Sequence, residues 1–184
     1  GFFNVAEGQI NAGSDPTSKV INITVEEKAT GEISLGAGAG TSGATISFGV
    51  KENNFLGKGI NLDAFTTITE ETLKGKFSVR NPNFRNSDKS INASIEAIEI
   101  DRSTEFGYKT SKTGFTFGTD FELYDDLDLG LGLSNFYESI TTDANASILQ
   151  KTQECNYWDS FLKLDFNYDK RNQKFQTTCG LRSF

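Results

Sequence analysis

The chain has 184 residues, with 25 acidic against 18 basic side chains and a formal net charge of −7. This balance argues against a nucleic-acid partner, because binding to phosphates needs clustered positive charge. The chain has no histidine, which excludes serine–histidine and cysteine–histidine nucleophile pairs and histidine-ligated zinc. With 18 Gly, 16 Phe and only 2 Pro, the composition indicates β structure. We expect no catalytic residue, no metal site and no cofactor.

The first 29 residues predict a β-hairpin. Apolar and polar residues alternate through Lys19–Glu27 (KVINITVEE), and a period of two is typical of a strand. A turn is predicted at Gly13–Pro16, after an earlier strand that includes the sequence GFFNV. Thr30 and Gly31 then break the alternation. We therefore predict two domains, residues 1–29 and 30–184.

The alternation continues through the second domain in about nine segments. Several are long enough for a tilted membrane strand, which needs about 9–11 residues. Alternation alone is also compatible with a soluble β-sandwich. Charges opposite a nearly uncharged apolar face favour a membrane barrel. The faces expected to meet lipid are those of Ile33, Ile46, Leu62, Phe77, Phe115, Leu131 and Leu162.

Two local features of these segments can also be predicted. The apolar phase shifts between Ala97 and Ile98, which suggests a bulge. The polar stretches Asp101–Thr113 and Thr141–Asn156 are predicted to be the two longest loops, on the same side as the short turns at 41–43 and 69–71. The other side is predicted to carry the connections at 53–59, 81–90, 124–126 and 169–175.

Two further predictions concern side chains. Lys74, Lys76 and Arg80 form a cationic stripe on one strand face, which is either a solvated wall or part of an ion-pair network with Asp63, Glu96, Asp120 or Asp165. In an up-and-down order, Cys155 and Cys179 lie at opposite strand ends, too far apart for a disulfide.

Four stretches carry a family resemblance, in the same order and at similar spacing. They are GFFNV to GEISLGAG at residues 1–38, KENNFLGKGINL at Lys51–Leu62, FSVRNPNF at Phe77–Phe84 and LDFNYDKRNQKF at Leu164–Phe175. Together they resemble the BamA family, whose members combine POTRA domains with an outer-membrane barrel. Each stretch alone is weak evidence, but jointly they are specific.

The resemblance implies an all-β fold: an antiparallel up-and-down transmembrane β-barrel, of which about nine strands are present. Residues 1–29 would be the C-terminal hairpin of a POTRA domain, and residues 30–184 the N-terminal part of the barrel. The chain would be a fragment of a protein of the Gram-negative outer membrane. The implied function is the folding and insertion of outer-membrane β-barrel proteins. The implied partners are unfolded outer-membrane β-barrel proteins, membrane lipid and periplasmic assembly lipoproteins.

Two groups of candidate site residues follow from the resemblance. The first is a substrate-facing edge strand, weakened by interior glycines, although these could instead relieve crowding at a bent wall. It comprises Ile33, Ser34, Leu35, Gly36, Ala37, Gly38 and Ala39. The second is a set of turn residues that fix strand register, although they could equally be turn formers alone. It comprises Asn53, Asn54, Phe55, Gly57, Gly59, Pro82, Phe84, Tyr168, Asp169 and Arg171.

Two other function classes stay open. One is the related group of POTRA-plus-barrel proteins that translocate autotransporters or exoproteins. The other is a soluble β-sandwich that acts as a binding or adhesin module. An enzyme such as an outer-membrane lipase is the least favoured class, because no histidine is available to activate a serine.

Overall fold

The structure is a computed structural model that describes residues 3–15, 17–40, 43–173, 175 and 178–183. The chain divides into two compact units, Gly1–Gly31 and Glu32–Phe184. Among the described residues, no helix is both long and apolar enough to cross a membrane. Several predicted features fall partly outside the described residues: the start of GFFNV, Pro16, Thr41, Ser42 and Lys174.

The first unit contains the predicted hairpin. β1 (Phe3–Ala12) pairs antiparallel with β2 (Lys19–Glu27). The register places Ile10 directly opposite Ile21 on one face, so the alternation in the sequence becomes one apolar and one polar face. In the turn, the Ser18 carbonyl accepts a hydrogen bond from the Gly13 N–H at 3.0 Å. The assignment of this hairpin to a POTRA domain stays a prediction.

The second unit contains a sheet in which neighbouring strands are also neighbours in the chain. In the part of the chain that the structure describes, the sheet has nine strands, with β3 at one edge and β11 at the other. Every pair whose register is described is antiparallel. The predicted all-β, antiparallel, up-and-down fold is therefore confirmed. The strands are β3 (Gly31–Gly40), β4 (Gly43–Phe55), β5 (Ile60–Thr69), β6 (Thr72–Asn81), β7 (Ser90–Arg102), β8 (Tyr108–Tyr124), β9 (Leu127–Thr142), β10 (Cys155–Asp169) and β11 (Arg182–Ser183).

The sheet has one apolar and one polar face, because residues directly opposite each other in antiparallel strands share a face. One row across the apolar face contains Val79, Ala93, Phe117, Leu133 and Leu162. A row across the polar face contains Asp63, Ser78, Ser94, Thr116, Ser134 and Phe161. These two faces are the ones that the sequence predicts.

The apolar face is not covered by any other described part of the second unit. Ile33 is 74% exposed and Leu162 is 75% exposed, at the two sides of the sheet. Among the described residues, the only buried hydrophobic side chain is Ala146, in a loop. The sheet therefore has no core of its own on this face.

The predicted bulge between Ala97 and Ile98 is wrong. β7 pairs without interruption with both β6 and β8. Ile98 lies on the polar face, directly opposite Lys74 and Lys112. Lysine side chains have apolar stems, so an isoleucine between two of them fits a polar face without a change of phase. Among the strand pairs of this sheet whose register is described, irregularities lie instead in β4, between Glu52 and Phe55, and in β8, between Glu122 and Tyr124.

The prediction of a long loop at Asp101–Thr113 is also wrong. β7 continues to Arg102, and β8 begins at Tyr108 after the short helix α1 (Ser103–Phe106). Polar residues of this stretch pair across strands. The Lys109 Nζ lies 2.7 Å from the Glu99 carboxylate and 3.9 Å from that of Asp101. A polar sequence can therefore extend two strands when its charges pair.

The connection between β9 and β10 is a loop, as the sequence predicts, and it contains the helix α2 (Ile148–Thr152). Ser147 and Gln150 form a capping box at the start of this helix. The loop contacts the turn before β8, where Gly107 has a φ of 72°. A Cβ at Gly107 would lie 2.3 Å from the Ala146 nitrogen, so only glycine fits.

The two cysteines lie at opposite ends of β10. Cys155 is its first residue, and Cys179 lies in the connection that follows its last residue, Asp169. Both thiols are free and exposed.

Candidate functional site

The seven predicted edge residues all lie in β3, which is one of the two edge strands of the described sheet. One long side of β3 pairs with β4, and no described strand lies along the other. The side chains of Ile33 and Leu35 are 74% and 79% exposed. They share the apolar face with Ala37 and Ala39, whereas Ser34, Gly36 and Gly38 share the polar face. The strand therefore offers an unpaired backbone edge beside an apolar surface.

Small side chains fill the junction between β3 and β4 on the polar face. The Ser34 hydroxyl donates to the Gly49 carbonyl at 3.5 Å, and a Cβ at Gly36 would lie 2.5 Å from the Ser47 Oγ. At Gly38, by contrast, an added Cβ would meet nothing within 4 Å. Crowding within the described chain therefore does not explain this glycine.

Glycines in the central strands have a different role from Gly38. A Cβ at Gly114 in β8 would lie 2.2 Å from the Asn135 carbonyl oxygen, and one at Gly118 would lie 2.8 Å from the Asn92 side chain. Gly114 requires glycine because a backbone atom already fills the space, whereas at Gly118 the near atoms are the end of a side chain that can move. In β3, the absence of a side chain at Gly38 lowers strand stability without relieving a contact.

The predicted register residues Asn53, Asn54 and Phe55 lie at the irregular end of β4, and Gly57 and Gly59 lie in the turn after it. Gly57 has a φ of 69° and Gly59 one of 66°, the left-handed region that glycine adopts without strain. The Asn54 side chain accepts a hydrogen bond from the Gly59 N–H at 2.7 Å. The amide of Asn54 thereby closes the turn before β5 begins.

The predicted residues Pro82 and Phe84 lie in the connection between β6 and β7. Phe84 begins a 3-10 helix, Phe84–Asn86. Its N–H donates to the Lys89 carbonyl at 2.8 Å, and its carbonyl accepts from the Ser87 hydroxyl at 2.6 Å. Backbone groups of Phe84 therefore hold this connection closed through hydrogen bonds to Ser87 and Lys89.

The predicted residues Tyr168 and Asp169 are the last two residues of β10, where they pair with Ser183 and Arg182. Arg171 follows the strand, and its Nε and Nη2 each donate to the Asp169 carboxylate at 2.7 Å. This bidentate contact raises the pKa of Arg171. The Arg182 Nε lies 3.8 Å from the same carboxylate. Asp169 thus contacts both ends of the connection between β10 and β11.

The cationic stripe of β6 is partly paired on the polar face. Lys76 lies 3.7 Å from Glu96, and Arg80 lies 3.8 Å from Asp120, so two of the predicted acidic partners are confirmed. Lys74 lies over the Phe65 ring at 5.7 Å from its centroid. Asp165 instead contacts Lys163 of its own strand at 2.8 Å.

Sequence reasoning missed one polar cluster, formed by Lys112, Glu138 and Tyr157 on β8, β9 and β10. The Glu138 carboxylate accepts the Tyr157 hydroxyl at 2.6 Å and lies 2.5 Å from the Lys112 Nζ. The three residues are far apart in the sequence, and only the register of the strands brings them together. Among the described residues, no group of three or more Cys, Asp or Glu side chains is arranged to hold a metal ion.

A sheet of long antiparallel strands in up-and-down order, with one apolar and one polar face, is the architecture of outer-membrane β-barrels. The sequence matches the Omp85 superfamily domain over residues 54–183. The chain therefore belongs to the Omp85 superfamily, and the family resemblance predicted from its motifs is confirmed. β3 and the hairpin lie outside the matched range.

A solved structure supports the same fold. The chain is similar to the crystal structure of BamA from Haemophilus ducreyi lacking POTRA domains 1-3, with a TM-score of 0.66 and 22% sequence identity. The match covers 98% of this chain and 38% of that one. The chain thus spans little more than a third of the length of the structure it matches.

Proposed function

We propose that this chain belongs to an outer-membrane protein that folds and inserts other β-barrel proteins into the outer membrane of a Gram-negative bacterium. The observation that carries the proposal is the sheet itself, whose long strands in up-and-down order, with one apolar and one polar face, match the Omp85 superfamily. Within the described sheet, β3 lies at one edge. Unpaired strand edges bind other chains by adding a strand.

The distribution of side chains on the sheet supports a membrane location. The apolar face carries large exposed side chains from β3 to β10, such as Ile46 at 56% and Leu164 at 56%. In water, an apolar surface of this extent is a liability for aggregation. In a bilayer it is the surface that contacts lipid, while the polar face lines the interior.

The edge strand is suited to exchange its partner. An incoming strand needs free N–H and C=O groups, and the free side of β3 presents them. Gly38 keeps the strand weakly held, since glycine in a strand costs about 0.5–1 kcal/mol relative to alanine. The proposed partner at this edge is therefore a strand of an unfolded outer-membrane β-barrel protein. By the family resemblance, periplasmic assembly lipoproteins are further partners.

The second candidate function is the translocation of autotransporters or exoproteins by a related barrel. Membership in the superfamily is compatible with it. The two functions differ in what passes the edge: an assembly factor pairs a substrate strand with β3, whereas a translocator moves a chain through the interior. A soluble sandwich is less well supported, because no other described part of the second unit covers the apolar face.

A proline scan through Ile33–Ala39 in the full-length protein tests the proposal. Successive N–H groups of a strand point to alternate sides, so proline at every second position removes a donor from the free edge. We expect these variants to fold but to lose assembly of a β-barrel substrate in proteoliposomes. Proline at the intervening positions disrupts pairing with β4 and lowers stability. Alanine at positions 33, 34 and 35 is the matched control.

A substrate carrying a cysteine in its last strand adds a direct readout. Cysteine at alternate positions of β3 should form mixed disulfides with it during assembly. Full activity of all the folded proline variants, with no disulfide to substrate, would contradict the proposed edge.

A further inference from the structure

The apolar face of the sheet contains a groove centred on β7. Its volume is about 610 Å³. Ala93 lies in the middle, directly opposite Val79 of β6 and Phe117 of β8. Phe77, Ile95 and Phe115 form the next row across the same three strands. Alanine is the smallest of these side chains, and the space above it is the groove.

The groove offers no polar group to a ligand. Leu133 of β9 also lines it, on the apolar face. Ser94 and Thr116 line it as well, but the alternation turns their side chains to the polar face. Along β7, the first charged side chain on the apolar face is Glu99, roughly 20 Å from Ala93 at about 3.3 Å per residue. The occupant is therefore uncharged and apolar.

The hydrogen bonding of the backbone around the groove also argues against a peptide as the occupant. Residues of β7 from Ile91 to Ile100 pair with β6 on one side and β8 on the other. An extended peptide in the groove would bury its own N–H and C=O groups without partners, which is costly in an apolar surrounding. A hydrocarbon chain has no such groups.

We infer that this groove binds the hydrocarbon chain of a membrane lipid, at a fixed place on the barrel wall. The inference rests on the proposed membrane location of the apolar face. It goes beyond that location, because a lipid in the groove contacts side chains on several sides. Phe77 and Phe115 are 43% and 47% exposed, and both line the groove together with Ala93.

The test is photolabelling of the full-length protein in bilayers of phosphatidylcholine that carries a diazirine in the middle of one acyl chain. Labelled residues are located by mass spectrometry. We expect Phe77, Ile95 and Phe115 to be labelled, per exposed area, about fourfold more than Ile46 and Leu162, the factor given by one additional buried CH₂ group.

Variants at Ala93 fill the groove. Ala93→Phe and the smaller Ala93→Leu should both remove the excess labelling. If the Ala93→Phe variant does not fold, the labelling of the Ala93→Leu variant serves as the test. Ala97→Phe is the matched control, since Ala97 lies on the same face of the same strand, opposite Gly75 and Thr113, outside the groove. It should leave the excess unchanged. Folding is checked by circular dichroism.

The outcomes separate this inference from the proposed function. Uniform labelling of the whole apolar face would contradict lipid binding in the groove, and so would excess labelling that persists in a folded Ala93→Leu variant. Either result would leave the membrane location in place. Labelling of Ile46 and Leu162 with none at the groove would mean that protein covers it, which also overturns the inference. No labelling of either region would contradict the membrane location itself.

Discussion

Glu138 of β9 lies directly opposite Lys112 of β8 on the polar face, with 2.5 Å between the carboxylate and the ammonium group. The same carboxylate accepts a hydrogen bond from Tyr157 of β10 at 2.6 Å. Lys112 also lies over the Phe136 ring, 4.4 Å from its centroid. One carboxylate thus joins three consecutive strands on the side of the sheet opposite the proposed lipid surface.

Replacing Glu138 should therefore weaken the sheet. We expect Glu138→Ala to lower the free energy of unfolding by about 1 kcal/mol, because it removes both contacts of a partly exposed group. Glu138→Gln should lower it less, since the amide oxygen can still accept from Tyr157. The measurement is a urea titration of the protein folded in lipid. Asp88→Asn, in an exposed loop, is the control, and an equal effect there would contradict the role of Glu138.

The contrast between Gly38 and Gly114 gives a second prediction. Gly38→Ala should stabilise the protein by about 0.5–1 kcal/mol, because alanine restricts the unfolded chain and meets no atom in the folded one. Gly114→Ala should destabilise it by about 1–3 kcal/mol through overpacking against the Asn135 carbonyl. Urea titrations of both variants measure these changes in the free energy of unfolding. If Gly38→Ala also slows substrate assembly, the weakness of β3 is functional, and a faster rate would argue against this.

The sequence predicts strands and faces well, for a physical reason. A period of two places every second side chain on the same face, so a stretch such as Leu127–Leu133 specifies both a strand and its apolar side. The hairpin strand β2 has the bounds that its alternation predicts, Lys19–Glu27. The local pattern is sufficient to predict a strand and its apolar face wherever that face is apolar along the whole strand.

Strand ends and register are harder to predict from the sequence, because they depend on partner residues far away in the chain. Tyr108–Thr113 is polar and resembles a loop, yet Lys109 and Lys112 pair with acidic residues of adjacent strands and extend β8. From the sequence of β7 alone, Ile98 suggests a change in the phase of alternation. Its position opposite Lys74 and Lys112 shows that the phase is unchanged. The cluster around Glu138 could not be predicted for the same reason.

The assignment of the two faces predicts opposite effects of arginine at adjacent positions of β7. Ile95 lies on the apolar face in the middle of the strand, and Ser94 lies on the polar face opposite Ser78 and Thr116. Ile95→Arg should cost about 2–4 kcal/mol, the range for a cation at the bilayer midplane. Ser94→Arg should cost much less. Equilibrium folding into phospholipid vesicles measures both, and equal costs would contradict the assignment of the apolar face to lipid.

Asp169 should hold the connection between β10 and β11 closed. Asp169→Asn removes the charge that both Arg171 and Arg182 contact, so the connection should open more often. Trypsin cleaves after Lys170 and Arg171, and we expect faster cleavage there in the variant, followed by mass spectrometry. Asp125→Asn, in the turn between β8 and β9, is the control. Unchanged cleavage in Asp169→Asn would mean that other contacts close this connection.

The dependence of folding on detergent tests most directly the central claim, that the apolar face of this sheet is built to contact lipid. The chain is refolded with and without detergent micelles, and far-UV circular dichroism and solution mass are recorded. We predict a strong β signal only when micelles are present. A monodisperse protein that unfolds cooperatively in plain buffer would contradict the account, because the apolar face would then be buried within the protein.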